Sequence, residues 1–367
     1  MGNSVSHGRL LNIRGDYTDF TELLSHFSEA SNARAVNSIV VTYKNIHGIN
    51  YNMIVPRPVV CFYCNCNMEK IKLIHNPKAG NSAYSRKELI SLVESAGFEA
   101  AYVNTKNDKS WKDIDPGTRI VVIAGGDGTV RKFAASILGK KQAGNEPAIG
   151  LLQLGTANNI ANSLKLKGEP GELIEEFQKR ETTRFDVGLI NNNEEDFFLE
   201  SAGFGIFPEL MQLLKKKGIK DIEASQNFLK ELTSSFKAEY YEIQVDNEKR
   251  NGNYLLVEVM NTPLIGPRLH LNSVSNPGDG KFEVVLVNES ERDNLRDFFS
   301  ATANKTANAL RDYAIQGSEI TIKTESRYFH TDDQLLQMKK SKELIIKLKR
   351  AALNFLVIKT PSGTHNI

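Results

Sequence analysis

The sequence lacks the features that would place it inside a membrane or on nucleic acid. No apolar run approaches the ~18 to 20 residues that a helix needs to cross a bilayer, and the first residues lack the apolar core of a secretory signal. The formal net charge is only +2 over 367 residues, which excludes a general electrostatic attraction to nucleic acid. We therefore expect a cytoplasmic chain, or one peripheral to a membrane, with no transmembrane segment and no nucleic-acid partner.

Cysteine is scarce and confined to one place. The three cysteines, Cys61, Cys64 and Cys66, lie close together, so a disulfide framework cannot organise the fold. A CxxCxC cluster can bind a metal, but three thiolates need a fourth ligand and the sequence has no second CxxC. Free thiols are therefore the better interpretation.

A sustained hydrophobic period is also missing from residues 1–67, which we interpret as an N-terminal extension. Met68 then opens MEKIKLIHNPKAGNS, which is typical of the start of an α/β domain. One hypothesis is that the native protein starts at Met68 and that the extension is not native. The start MGNSVS also fits a myristoylation pattern through Gly2 and Ser6, although this pattern is common by chance.

Residues 68–182 alternate apolar strands with amphipathic helices. RIVVIA (119–124) is apolar almost throughout, as expected of a strand that is buried on both faces of a sheet. RKELISLVESAG (86–97) places Leu89 and Val93 on one helical face. This alternation predicts an α/β domain with a doubly wound parallel sheet.

Residues 183–349 follow a different pattern. Short β-rich runs such as YLLVEVMN and KFEVVLV are separated by polar turns, and helical stretches at 224–236 and 292–304 interrupt them. We expect a second, largely antiparallel β-rich domain, with a cleft between the two domains. In this division residues 350–367 are free to return to the first domain.

The turn Gly125–Thr129, GGDGT, follows an apolar strand and opens a predicted helix. Glycines let backbone N–H groups approach phosphate oxygens, and the helix adds its positive end. The carboxylate of Asp127 would repel phosphate unless it acts through Mg²⁺ or accepts a proton from a hydroxyl. The structural alternative is a tight turn in which Asp127 caps the helix.

Two further loops strengthen the case for phosphate binding. Asn76–Gly80 and Gly155–Asn159 also follow apolar strands, and such loops converge on one crevice of an open parallel sheet. The sequence contains neither the GxxxxGK[ST] of a Walker loop nor a dinucleotide GxGxxG. A different class of nucleotide site is therefore indicated.

Taken in order, these motifs resemble the diacylglycerol kinase catalytic-domain superfamily, which includes bacterial lipid kinases and the sphingosine and ceramide kinases. NAD kinases and phosphofructokinases share a GGDG turn, but the LGTAN helix and the NPGDGKFEV segment favour the lipid-kinase branch. The resemblance covers roughly residues 70 to 358, and it is carried by HNPKAG, AGGDGTV, LGTANNIANSL, FDVG, FFLESAGFG, VMNTPLIGPRLHL and NPGDGKFEVVLV.

The resemblance implies a fold similar to that of NAD kinase and diacylglycerol kinase, with ATP and Mg²⁺ as cofactors. Asp127 matches the family's Asp that organises Mg²⁺ and phosphate, and so becomes a catalytic candidate. The first domain would bind the nucleotide and the β-rich domain the acceptor. The implied nucleotide contacts are Asn76, Thr105, Gly125, Gly126, Asp127, Gly128, Thr129, Thr156 and Asn158.

A second cation site is implied by NPGDGKF. Asp279 matches the Asp that holds a structural Mg²⁺ in bacterial members, with flanking carbonyls at Asn276 and Lys281. One carboxylate with carbonyls and waters suits a hard cation. The alternative is an ordinary Asp-Gly turn between strands.

The main departure from the family lies near the C-terminus. The family has a DGE triplet whose Glu is the expected base, and direct alignment puts Gln334 in its place. Gln cannot accept a proton at neutral pH, so either Asp333 or Asp332 serves as the base, or catalysis is weak. Smaller departures are Asn159 and Glu200, which stand where the family has Asp and, in many members, Asn.

The resemblance therefore predicts an ATP-dependent lipid kinase that phosphorylates a hydroxyl of diacylglycerol, a sphingoid base or a similar lipid at a membrane surface. The alternatives are a catalytically weak lipid-binding regulator and a soluble-substrate kinase such as an NAD kinase. LMQLL (210–214) with Lys215, Lys216, Lys217 and Lys220 would suit anionic lipid, but a solvated helix face is the better interpretation. A homodimer is compatible with this prediction.

Overall fold

The structure is a computed structural model, and the chain divides into two compact units. One unit comprises Met1–Glu69 with Gly97–Glu99, and the other Lys70–Ala96 with Ala100–Ile367. The described residues are the strand backbones at 9–15, 36–44 and 50–56, followed by 68–79, 83–106, 109–115, 117–139, 146–219, 221–272, 274–303, 310–338 and 342–358.

The first unit contains a three-stranded sheet in the order β1-β2-β3. Its strands are β1 (Arg9–Gly15), β2 (Val36–Lys44) and β3 (Asn50–Pro56). β1 pairs with β2 in parallel, and β2 pairs with β3 antiparallel. The cysteine cluster and the myristoylation pattern at Gly2 and Ser6 lie outside the described residues.

The second unit contains the elements that carry the β-rich pattern and the GGDGT turn (Gly125–Thr129), which we call the phosphate loop. Its helices are α1 (Arg86–Ser95), α2 (Asp127–Leu138), α3 (Asn159–Ser163), α4 (Pro170–Phe177), α5 (Ile206–Lys217), α6 (Ile222–Ser235) and α7 (Arg292–Ala303). Its strands are β4 (Lys70–His75), β5 (Glu99–Asn104), β6 (Ile120–Gly125), β7 (Ala148–Gln153), β8 (Thr182–Ile190), β9 (Asn193–Phe198), β10 (Ser201–Gly205), β11 (Glu239–Val245), β12 (Glu248–Met260), β13 (Leu264–Ile265), β14 (Leu269–His270), β15 (Phe282–Asn288), β16 (Ala314–Gly317), β17 (Glu319–Thr324), β18 (Tyr328–Thr331), β19 (Gln334–Gln337) and β20 (Glu343–Leu356). Within the described residues, no helix combines the length and apolar character that a bilayer crossing requires.

The α/β part of the large sheet, which carries the GGDGT turn, has the order β7-β6-β4-β5. β6 pairs in parallel with β4 on one side and β7 on the other. Every residue of β6 is buried, because helices cover both faces of this part of the sheet. Helix α1 begins with a capping box between Ser85 and Glu88, and it buries Leu89 and Val93 on one face. The predicted parallel α/β architecture is confirmed.

The β-rich part is largely antiparallel, as the short runs predicted. β12 pairs antiparallel with β10, β11 and β15, and β11 pairs antiparallel with β17. In β11 buried and exposed residues alternate, so one face packs on a core that includes Phe204, Tyr241 and Phe282. A second core lies beneath α5, α6 and α7, around Leu229 and Phe299.

One strand, β20, connects the two parts of the sheet. Its first half pairs antiparallel with β17, through registers such as Ile346 with Ile320. Its second half pairs antiparallel with β8, and near its end Phe355 pairs in parallel with Ile149 of β7. The described strands of this unit, apart from the two-stranded β13–β14 sheet, therefore form one continuous sheet in which the phosphate loop leaves the carboxyl end of β6.

Candidate active site

The loop after β4 meets the phosphate loop through Asn76. Its backbone N–H donates to the carbonyl of Ala124 at 2.9 Å, and its side-chain Nδ2 donates to Oγ1 of Thr129 at 3.1 Å. Thr105 follows β5, and its N–H donates to the carbonyl of His75 at 3.0 Å. The structure thus brings Asn76, Thr105 and Thr129, all predicted as nucleotide contacts, to the same edge of the sheet.

The GGDGT and GTANN loops touch backbone to backbone. A Cβ on Gly155 would lie closer than 3.0 Å to Cα of Gly126, and a Cβ on Gly126 would lie 2.9 Å from Cα of Gly155. The N–H of Leu154 also donates to the carbonyl of Gly125 at 3.1 Å. Both glycines are therefore required by the close approach of the two loops.

The N-terminus of α2 has no side-chain cap. Gly126 occupies the N-cap position, so no side chain accepts a hydrogen bond there. Backbone N–H groups at such an end attract anions, because they are unpaired within the helix and carry its positive partial charge. This end of α2 is suited to a phosphate group.

Asp127, the first residue of α2, caps a different helix. Its carboxylate accepts hydrogen bonds from the backbone N–H groups of Asn159 (3.0 Å) and Ile160 (3.1 Å), at the start of α3. Burial raises the pKa of Asp127, the nearby Asp333 carboxylate adds to the rise, and these N–H groups oppose it. The alternative interpretation was right that Asp127 caps a helix, but the helix is α3 and not α2, which Asp127 itself opens. The carboxylate therefore joins the GGDGT and GTANN loops. The predicted catalytic and metal-organising role of Asp127 stays a prediction.

Asn158 shapes the GTANN loop from within. It has a left-handed backbone with φ 53°. Its Oδ1 accepts from the N–H of Gly155 at 2.8 Å, and its Nδ2 donates to the carbonyl of the same residue at 2.9 Å. Arg268 braces the loop from outside by donating to the carbonyls of Thr156 (2.7 Å) and Ala157 (2.9 Å). The side chain of Asn158 is thus engaged within the loop, and its role as a nucleotide contact stays a prediction.

The turn between β18 and β19 is held by the carboxylate of Asp332. It accepts hydrogen bonds from the backbone N–H groups of Leu199 (3.0 Å), Glu200 (2.7 Å) and Ser201 (3.3 Å). Arg131 of α2 adds an ion pair through Nε at 3.0 Å. Burial raises the pKa of Asp332 to about 6, although Arg131 and the N–H groups oppose the rise. These contacts favour a structural role, and the catalytic assignment of Asp332 stays a prediction.

Asp333 stands at the phosphate loop. Its side chain is exposed, and a Cβ on Gly128 would lie 3.3 Å from its Oδ2. The next residue, Gln334, is exposed and opens β19. Of the two carboxylates considered as the base, Asp333 is the one that lies beside GGDGT with an accessible side chain.

A fourth carboxyl, that of Glu200, lies at this site beside those of Asp127, Asp332 and Asp333, and the sequence singled it out only as a departure from the family. Oε2 of Glu200 accepts from Nδ2 of Asn159 at 2.7 Å, and both residues are buried. Burial raises the pKa of Glu200 well above its ordinary value, and the Asp127 and Asp332 carboxylates add to this rise. A lone carboxylate inside the apolar run FFLESAGFG is the signal that could have marked it as functional.

Arg131 also went unpredicted. Besides its ion pair with Asp332, its Nη2 donates to the carbonyl of Phe197 at 2.8 Å, and its guanidinium lies over the Phe197 ring. It therefore ties α2, which begins at the phosphate loop, to β9 and to the turn between β18 and β19. Its position four residues after Asp127 gives only a weak sequence signal.

The residues of the predicted second cation site share one turn. Oδ1 of Asp279 accepts from the N–H of Lys281 at 3.0 Å, and the N–H of Asp279 donates to the carbonyl of Asn276 at 3.3 Å. Asp186 fixes the turn by accepting from the N–H of Gly280 at 2.8 Å. Within the described residues, no three His, Cys, Asp or Glu side chains converge as a metal-binding group. The candidate metal ligands of this turn are thus one exposed carboxylate and backbone carbonyls, and a metal ion there stays a prediction.

Comparison with known proteins agrees with this arrangement. Residues 70–190 match the diacylglycerol kinase catalytic domain. A diacylglycerol kinase of Staphylococcus saprophyticus is 24% identical over 231 residues, which are 60% of this chain and 74% of that protein. A diacylglycerol kinase of Bacillus subtilis is 23% identical over 245 residues, 63% of this chain and 77% of that protein.

Among solved structures, a diacylglycerol kinase from Bacillus anthracis strain Sterne superposes with a TM-score of 0.60 at 18% identity, covering 81% of this chain and 99% of that one. At this identity the likeness shows the fold alone. The domain match over residues 70–190 and the relatives support the diacylglycerol kinase catalytic-domain superfamily, a family of kinases.

Proposed function

We propose that the protein is an ATP-dependent lipid kinase that transfers the γ-phosphoryl group to a hydroxyl of a lipid such as diacylglycerol or a sphingoid base. The observation that carries this proposal is the position of the Asp333 carboxylate beside Gly128 of the phosphate loop. A carboxylate at that point meets the acceptor hydroxyl where the γ-phosphate would lie. The kinship to lipid kinases supplies the substrate class.

The nucleotide side is supported by backbone geometry. The uncapped N-terminus of α2 offers N–H groups to phosphate oxygens, and the contact between Gly126 and Gly155 holds the GTANN loop beside it. Asn76 and Thr129 contact each other across the same opening. ATP is the expected phosphate donor, and Mg²⁺ held with the help of Asp127 would neutralise phosphate charge.

The transfer step follows the usual in-line course. The acceptor oxygen forms a bond to the γ-phosphorus, the bond from that phosphorus to the β–γ bridging oxygen breaks, and ADP leaves. The hydroxyl proton passes to Asp333, whose exposed carboxylate is free of the donors that surround Asp332. A second Mg²⁺ at Asp279, with the Asn276 and Lys281 carbonyls, would be structural.

The test is transfer of labelled γ-phosphate from Mg-ATP to a total lipid extract. We expect the wild type to label a lipid, Asp127→Ala to abolish labelling, and Asp333→Asn to slow it about 100-fold. Asp293→Asn is the control, because Asp293 is an exposed side chain on α7. If Asp333→Asn retains the full rate, the assignment of the base is wrong.

The acceptor is tested in the same assay. Label that goes to NAD and to no lipid would establish the soluble-substrate kinase instead. ATP binding with no labelled acceptor would establish a lipid-binding regulator, for which Gln334 is the motivation. Gln334→Glu sharpens the result, since a gain in rate would show that the family's acid position still faces the acceptor.

A further inference from the structure

A buried ion pair crosses the β-rich part of the sheet beneath the acceptor-side turn. Glu258 of β12, Gly203 of β10 and His330 of β18 lie opposite one another on three neighbouring strands. Nε2 of His330 lies 3.0 Å from the Glu258 carboxyl, and both side chains are buried. A Cβ on Gly203 would come closer than 3.0 Å to Oε2 of Glu258. Because Gly203 on the middle strand has no side chain, Glu258 and His330 can meet although their strands are not adjacent.

The second nitrogen of His330 reaches the turn itself. Nδ1 lies 3.2 Å from the backbone carbonyl oxygen of Asp332, a distance that allows the protonated nitrogen to donate to it. Asp332 has a left-handed backbone with φ 50°, so a fixed partner for its carbonyl defines the turn in a region that Asp seldom adopts. The next residue is Asp333, which lies beside Gly128.

We propose that the Glu258–His330 pair is a positioning pair, which holds the Asp332–Asp333 turn against the phosphate loop. This inference rests on the proposed kinase function, because it concerns the turn that carries the proposed base. Neither side chain of the pair is accessible to a substrate, so both act through Asp332 and Asp333.

The pair holds the turn when His330 is charged. Burial lowers the pKa of His330, but the Glu258 carboxylate and the Asp332 carbonyl outweigh burial, so that the pKa lies above its ordinary value. The ring also meets Phe207 of α5, and the strand partners of His330 are Gly203 on β10 and Leu335 on β19, which carry no charge. The Asp332 carboxylate is a second negative charge that raises the pKa of His330. An imidazolium donates from both nitrogens at once, to the carboxylate and to the carbonyl.

The sign of the pH dependence follows. Because the folded pKa of His330 is raised, the stabilisation by the pair is complete below the ordinary histidine pKa of about 6.5 and is lost as the pH rises through the raised value. Above that value the imidazole can donate from only one nitrogen. The turn should then loosen while the nucleotide loops stay as they are.

Hydrogen exchange tests the positioning without any activity assay. The N–H groups of Leu199, Glu200 and Ser201 donate to the Asp332 carboxylate and report on the turn. In Glu258→Gln we expect their protection to fall about tenfold or more, while that of Ile243 on β11 is unchanged. Unchanged protection at the turn would overturn the proposal, whether or not the protein proves to be a lipid kinase.

The wild type supplies a second measurement in case Glu258→Gln does not fold. The His330 imidazole is titrated by NMR, and exchange at the same three amides, corrected for intrinsic rates, is followed over the same pH range. Protection should rise as Asp332 loses its proton, since its pKa is about 6, and should then fall with the same midpoint as the His330 titration. A fall with a different midpoint, or no fall at all, would contradict the inference.

Kinetics extends the test to the transfer step once a lipid acceptor is known. Glu258→Gln and His330→Gln should each lower kcat about 10- to 100-fold and leave the KM for ATP within about twofold, since the pair touches the turn and not the nucleotide loops. The double variant should lose no more than either single variant, because the two residues act as one unit. His270→Gln is the control, on an exposed histidine. Multiplicative losses, or an equal rise in the KM for ATP, would refute the pairing.

Discussion

The two sides of the candidate site are built in different ways. On the nucleotide side, loops meet through glycines and backbone groups, as at Gly126 and Gly155. On the acceptor side, buried charges hold the chain, and one carboxylate, that of Asp332, gathers three backbone N–H groups and an Arg131 ion pair. The first side depends on the absence of side chains at the two glycines where its loops touch. The second side depends on buried charges that are paired.

This difference determines how each side tolerates change. A contact between backbones leaves no room for an extra methyl group, so even Gly to Ala should be severe. A buried charge instead requires its partners, so the loss of charge without loss of volume is the sensitive substitution. Matched variants on each side can separate these two modes.

The largest effect is expected on the nucleotide side. Gly155→Ala places a Cβ closer than 3.0 Å to Cα of Gly126, and because neither atom is on a flexible side chain, the two loops must separate. Overpacking of this kind costs about 3 kcal/mol, which corresponds to about 100-fold weaker ATP binding. Isothermal titration calorimetry would measure the affinity. Gly139→Ala is the control, since a Cβ there meets nothing within 4 Å.

An effect of similar size, on stability and not on ATP binding, is expected for Asp332→Asn. The variant keeps the volume, but its amide nitrogen would face N–H donors and Arg131, and we expect a loss of about 3 kcal/mol in the free energy of unfolding. Urea denaturation would measure it. Asp293→Asn removes an exposed ion pair and should change stability by less than about 1 kcal/mol. Equal losses for the two variants would mean that burial does not distinguish these pairs.

Glu200→Gln should change how the stability of the protein depends on pH. Because burial raises the folded pKa of Glu200, wild-type stability falls as the pH rises from the ordinary Glu value of about 4.3 towards the raised one, by about 1.4 kcal/mol per pH unit. Gln cannot ionise, so the variant should lack this fall and be the more stable protein at neutral pH. Thermal denaturation from about pH 5 to about pH 9 would test this, with the exposed Glu195→Gln as control. Parallel curves for wild type and Glu200→Gln would contradict it.

Arg268→Ala should have the smallest effect. Its guanidinium donates to two carbonyls of the GTANN loop from an exposed position, and the loss of such contacts is worth about 1 kcal/mol. We expect the KM for ATP to rise about fivefold with kcat unchanged. A change in kcat instead would link this loop to the transfer step.

The nucleotide side was largely predictable from the sequence, because glycine positions and strand ends are local features. The parallel order around β6 and the placement of Asn76 and Thr129 at one edge followed from the alternation of apolar strands and loops, whereas Thr105 was implied only by the family resemblance. The family resemblance assigned the motif that ends in Thr129 to a kinase. The comparisons support that assignment.

The acceptor side was not predictable in the same way. Arg131 meets Asp332 across 201 positions of sequence, and His330 meets Glu258 only because Gly203 lies between them in the sheet. Such pairings depend on strand register, which periodicity alone does not specify between distant segments. The direct alignment of the DGE triplet likewise left open which carboxylate lies beside GGDGT.

The strand β20 has a consequence for how the site comes into being. It pairs with β17 and β8 and reaches β7, so it completes the acceptor-side sheet and the nucleotide-side sheet together. It is also the last described strand to emerge during synthesis, and contacts over such long sequence separations form late and slowly. A nascent chain that stops before residue 343 should therefore hold neither ATP nor acceptor, and cooperative folding of both halves should await this one strand.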